Sequence, residues 1–224
     1  MSFNLDYSRE YQRPFINGIF PDSKIMETMK KYCPQGSAIA GIGSGDGRND
    51  IPLAKQGYNV DAYEPDVYGQ ARIKKRAKNL PNLKVFPDDI LFSDLPAEKY
   101  NGIHMARVSQ HFYDCDIPHV LNNFYQGLKK GGIVLFDALI EKIPLPKRDI
   151  NDFLIDIDEG CNHFKEGFVE NSARKAGFEI LEVSNCKRDW YTLPKYFGPK
   201  WGFGTSTAKD ALRDVALKWF TLIK

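Results

Sequence analysis

The sequence predicts a doubly wound α/β fold: a mostly parallel sheet of seven strands, helices on both faces and an antiparallel last strand. Three observations carry that expectation. Short apolar runs alternate with stretches of helical periodicity. The first run ends in a glycine cluster, Gly41-Ile42-Gly43-Ser44-Gly45-Asp46-Gly47, and the second closes on an acid, Glu64.

Ser37 to Ile42 reads as a buried strand, bounded by Pro34 before it and glycines after it. Residues 47–56 read as a helix, with Pro52 near the first turn, where a missing N–H does little harm. Gly57 ends it, and Tyr58 to Tyr63 form the second strand. Asp66 starts another helix, with Val67, Ala71, Ala77 and Leu80 expected on its inner side. Leu83 to Phe86 is the third strand and Gly102 to Ala106 the fourth. Ile117, Val120, Leu121, Phe124 and Leu128 recur at helical spacing, and Gly131-Gly132 is expected to close that helix. Ile133 to Phe136 then forms a fifth strand. Phe168 to Ala176 is helical, Phe178 to Val183 is a sixth strand, and Leu217 to Ile223 supplies the last. Residues 1–20, 138–165 and 187–208 are less regular; the first and last of these are rich in aromatics, which suit either a pocket or packing against the sheet.

Composition narrows the function. The 224 residues suit one α/β domain, and a net charge of +2 gives no argument for nucleic acid or an anionic membrane. The basic run Lys74-Lys75-Arg76-Ala77-Lys78 reads as a solvated helix face. No apolar run approaches the roughly 18 residues of a spanning helix, and the N-terminus shows no secretory pattern, so a cytoplasmic location is expected. Cys33, Cys115, Cys161 and Cys186 have no metal-type spacing, and no metal site is expected.

Ligands of a parallel sheet gather at the carboxyl ends of its strands. The turn after the first strand is therefore the expected seat of a nucleotide, where glycine allows close approach and backbone N–H groups offer positive charge. A dinucleotide site requires G-x-G-x-x-G. Here the third position holds Asp46 in one register and Arg48 in the other, so neither fits. Glu64 lies about 20 residues beyond the turn, where a ribose-binding carboxylate belongs.

Over residues 36–188 the sequence resembles the class I S-adenosylmethionine-dependent methyltransferases, whose fold is Rossmann-like. Residues 41–54 are similar to the family's first motif, especially in its small-molecule and tellurite-resistance-like branches. The resemblance implies that Gly41, Gly43 and Gly45 lie against the amino-acid part of the cofactor, with Glu64 accepting the ribose hydroxyls. Asp88-Asp89-Ile90 is similar to the family's adenine clamp, which implies that Asp89 accepts from the adenine amino group and Ile90 covers the ring. Residues 107–112 are similar to the segment beneath the methionine part, where Arg107 either meets the cofactor carboxylate or pairs with a surface acid. Asn101 stands where the family often has an acid.

A single domain is expected: residues 1–35 as an N-terminal helical lid, 36–137 as the cofactor-binding half, and 138–224 as the substrate-side half. Methyl transfer from a sulfonium is an in-line displacement whose main requirement is alignment. If the acceptor must lose a proton, His111 is the first candidate base, ahead of Asp137 and His163; His104 and His119 read as structural. Tyr7 and Tyr11, with Trp190 and Tyr191, are candidates to line the substrate pocket. The expected reaction is methylation of N or O on a small molecule. A protein or RNA acceptor and a non-catalytic cofactor-binding protein remain the alternatives.

Overall fold

In the computed structural model, which describes residues 20–141, 163–186 and 215–224, helices α1 (Ser23–Tyr32) and α2 (Asp50–Lys55) flank strand β1 (Ala38–Ile42). There follow β2 (Asn59–Tyr63), α3 (Val67–Arg76), β3 (Leu83–Phe86) and β4 (Tyr100–Met105). A single 3-10 turn (Ser109–His111) precedes α4 (Asp116–Gly127) and β5 (Leu128–Glu141). The last elements are α5 (Phe168–Lys175), β6 (Glu179–Asn185) and β7 (Val215–Ile223). The seven strands form one sheet in the order β3-β2-β1-β4-β5-β7-β6. Pairings from β3 through β5 are parallel, while β7 runs antiparallel to both β5 and β6.

Helices cover both faces because both faces of the central strands are apolar. One core gathers Tyr100, Phe124, Phe136, Phe164 and Phe220, to which α4 and α5 contribute. The other joins Ile25 and Met29 of α1 and Leu53 of α2 to Ile39, Val60, Ile133, Leu135 and Trp219 of the sheet. Residues 20–35 thus contribute core packing through α1, whose start is capped by the Asp22 side chain accepting from Lys24 N at 3.1 Å. On the first face a polar chain crosses the sheet. Lys99 and Tyr100 both donate to Asp61 Oδ2, the Tyr100 bond at 2.8 Å, and the Tyr63 and Tyr100 hydroxyls meet at 2.6 Å.

Two local expectations are corrected. Val67 and Ala71 face solvent, and the buried positions of α3 are Gly69 and Ile73. The helix is rotated so that Gly69 abuts Glu64 and the carbonyl of Gly45, an approach that a larger side chain would block. Gly131 and Gly132 do not close α4. The helix ends at Gly127, because Leu128 is extended and pairs with Tyr100, and the glycines lie inside β5 beside a register shift.

Candidate functional site

The strand order reverses between β1 and β4, which places the crevice at the carboxyl ends of those two strands. The glycine turn leaves β1 there. Gly43 and Gly45 have φ of +63° and +60°, where a Cβ is strained. Packing adds a second constraint, since a Cβ on residue 43 would overlap the Val108 side chain. The turn is internally braced. Gly47 N donates to Ser44 O at 2.9 Å and Ser44 N to Tyr63 O at 3.1 Å.

Glu64, directly after β2, is buried and faces this turn. Its Oε2 accepts from Gly45 N at 2.6 Å and its Oε1 from Asp66 N at 3.0 Å. Asp66 in turn caps α3, accepting from Tyr68 N and Gly69 N. A second brace was not legible in the sequence: Arg76 Nη1, at the end of α3, donates to Asp46 O at 2.7 Å and to Asp46 Oδ2 at 2.8 Å. The residue that breaks the dinucleotide pattern is therefore itself a fixed part of the turn.

Asp89 and Ile90 follow β3. Asp89 Oδ1 accepts from Leu91 N at 3.0 Å, forming a local turn. Ile90 is buried in the same core cluster as Tyr63 and Phe112. The loop is held from α4 by Asn123, which accepts from Leu95 N at 2.8 Å and donates to Ser93 O at 2.9 Å.

Beyond β4, Arg107 adopts φ of +62°, unusual for a residue with a side chain. Asp137, inside β5, accounts for it. Asp137 Oδ1 accepts from Arg107 N at 2.7 Å, Oδ2 accepts from Arg107 Nη1 at 2.5 Å, and its carbonyl accepts from Ser109 Oγ at 2.5 Å. Burial works against the Arg107 charge, yet Asp137 and Cys186 outweigh it and leave its pKa raised. Burial pushes the Asp137 carboxyl above the ordinary aspartate value, opposed by the Arg107 charge and backbone N–H. The acid that Arg107 meets is thus buried inside the sheet, where a surface acid is the expectation. Asp137 is engaged as its partner.

His111 sits in the 3-10 turn held by this arrangement, its N donating to Val108 O at 2.9 Å. Burial pushes its imidazole pKa down to about 4, so the ring is neutral near pH 7. His163 instead pairs with Glu141 at 3.0 Å, His119 is exposed on α4, and His104 is buried within β4 beside Asp50. Tyr7, Tyr11, Trp190 and Tyr191 lie outside the described residues. Among the described residues, Cys33, Cys115 and Cys186 are free thiols, no cluster suits a metal ion, and no helix is long and apolar enough to cross a membrane.

Strand order and turn together define the class, a doubly wound domain with a nucleotide-type crevice at its switch point. The chain belongs to the methyltransferase-domain family, whose model matches residues 20–183 and whose methyl donor is S-adenosylmethionine. Among solved structures, phosphoethanolamine N-methyltransferase 2 of Haemonchus contortus, with phosphomonomethylethanolamine and S-adenosylhomocysteine, is similar at 17% identity. It aligns with a TM-score of 0.71 over 97% of this chain and 56% of that one. The [4+2]-cyclase SpnF is similar at 15% identity and a TM-score of 0.70, over 90% of this chain and 80% of that one. At these identities the likeness is one of fold. A curated relative, the RNA-directed RNA polymerase 2a of Broad bean mottle virus, is 26% identical over 132 residues. The match covers 53% of this chain and 16% of that protein's length.

Proposed function

We propose that this chain methylates N or O of a small molecule, within the branch of the family suggested by its glycine motif. The reading rests foremost on the closure of the turn onto Glu64, with Gly45 N donating to Glu64 Oε2 at 2.6 Å. A buried carboxylate beside a glycine turn fits a nucleoside diol, and S-adenosylmethionine supplies an electrophilic methyl group on its sulfonium. Glu64 accepts the ribose hydroxyls, and Gly41, Gly43 and Gly45 bring the backbone close to the amino-acid end. Asp89 accepts from the adenine amino group, with Ile90 against the ring. Arg107, set by Asp137, fixes the segment that carries His111. His111, neutral through burial, takes a proton from an acceptor that must lose one.

Incubating the protein with labelled S-adenosylmethionine and a metabolite extract tests this reading, with label expected in a low-molecular-weight product. An RNA acceptor is the second reading, favoured by the match to a viral RNA polymerase protein. Label found in added RNA in place of the metabolite fraction would select it. Cofactor binding without transfer to either pool points to a non-catalytic role.

A further inference from the structure

Beneath the glycine turn lies a buried polar pair. Asp50 opens α2 and His104 lies in β4; their side chains are 1% and 2% exposed, and Asp50 Oδ1 stands 3.2 Å from His104 Nε2. Among the described residues, no hydrogen bond reaches either carboxylate oxygen or either ring nitrogen. In register, His104 lies between Gly41 and Leu135 on the neighbouring strands. Apolar side chains at both positions would avoid the cost of desolvating a buried pair. Retaining the pair therefore points to a role other than stability.

Its position indicates which role. A Cβ on Gly41 would overlap the Asp50 carboxylate and stand 2.9 Å from His104 Nε2. The carboxylate thus occupies the volume that a side chain at position 41 would take. It reaches the end of β1 from α2, directly beneath the first residue of the turn. We infer that Asp50, set beside His104, is a positioning residue that sets the glycine turn for the amino-acid end of S-adenosylmethionine. This rests on the proposed reading of the turn as the seat of that end.

The test compares S-adenosylhomocysteine with methylthioadenosine, which keeps the nucleoside and thioether and lacks the amino-acid part. Dissociation constants are measured by calorimetry for the wild type, for Asp50→Asn and for the exchange Gly41→Asp/Asp50→Ala, with thermal unfolding alongside. Asp50→Asn is expected to weaken S-adenosylhomocysteine at least tenfold and to leave methylthioadenosine within about twofold. The exchange, which returns a carboxylate to the same volume from β1, is expected to recover most of the loss. Unchanged S-adenosylhomocysteine affinity in Asp50→Asn overturns the inference. Equal loss of both ligands overturns it too, since that is the mark of a merely structural residue, as does a folded exchange variant with no recovery. If the exchange variant does not fold, the split between the two ligands in Asp50→Asn decides alone. A wild type that binds neither ligand refutes the reading of the turn itself, a different failure from one confined to the variants.

Discussion

Arg107 and Asp137 are joined twice, through the backbone N–H at 2.7 Å and the guanidinium at 2.5 Å, and the pair holds Arg107 at a positive φ. One carboxylate therefore fixes both where the Arg107 side chain points and how the chain leaves β4. Removing either partner strands the other.

Arg107→Ala leaves Asp137 buried without its guanidinium, and breaking such a pair costs about 3–5 kcal/mol. The Asp137 pKa is already raised in the fold by burial, and loss of the opposing charge raises it further. A carboxyl with a raised folded-state pKa takes up its proton more readily when folded, so stability falls as pH rises past the ordinary aspartate value. Urea unfolding should show the Arg107→Ala deficit to be larger at pH 8 than at pH 5. Arg107→Gly loses the same ion pair but relieves the backbone, and should be more stable than Arg107→Ala by about 1 kcal/mol.

His111 has its pKa lowered to about 4 by burial. The folded state then binds fewer protons than the unfolded one between that value and about 6.5, the ordinary histidine value. Its stabilising contribution is complete above the unfolded value and is lost as pH falls toward the folded one. His111→Gln should flatten the pH dependence of unfolding across that window. If His111 is the base, the same substitution lowers kcat by roughly 10²–10⁴-fold, and the wild-type rate shows no histidine inflection between pH 6 and 8. A kcat unchanged by the substitution would remove His111 from the chemistry.

Glu64 accepts two backbone hydrogen bonds, from Gly45 and Asp66. A hydrogen bond to a charged group contributes about 1.5–3 kcal/mol, so loss of the proposed ribose contact in Glu64→Ala should weaken S-adenosylhomocysteine roughly 10–100-fold in calorimetry. Faster amide exchange at Gly45 should accompany it. Undiminished affinity would count against the ribose contact.

Gly43→Ala meets two obstacles, the positive φ and the Val108 side chain. Shortening Val108 to Ala in the same chain removes the second and leaves the first, worth about 1–2 kcal/mol. A double-mutant cycle read by thermal unfolding should therefore show partial rescue, with Gly43→Ala/Val108→Ala more stable than Gly43→Ala alone.

What was legible in the sequence was local. The glycine turn, the following strand and Glu64 are close in the chain, and each announces itself through periodicity or residue type. What was not legible depends on neighbours across the sheet. Arg107 and Asp137 are 30 residues apart and meet because β4 and β5 are adjacent. Asp50 reads as an ordinary first-turn acid, and nothing near it in the sequence indicates that His104 will stand opposite. Gly69 shows why the inward face of α3, and not its position in the chain, differs from the expectation. Its inward face is defined by a residue with no side chain, and a count of apolar positions passes over it. In the sequence Asp46 reads only as a missing glycine; its bonds to Arg76 give the residue a positive role.

The pairing of β7 with both β5 and β6 bears on the order in which the sheet is completed. Among the described strands β6 pairs with β7 alone, yet β7 follows it in the chain. On a ribosome, β6 emerges before the strand it pairs with, and β5 likewise keeps one flank open until β7 is made. Assembly of the sheet thus finishes by insertion of a late strand between two waiting edges. Until that happens, Phe136 lacks Phe220, the ring stacked on it at 5.3 Å. A nascent chain stalled before β7 would leave the facing edges of β5 and β6 unpaired.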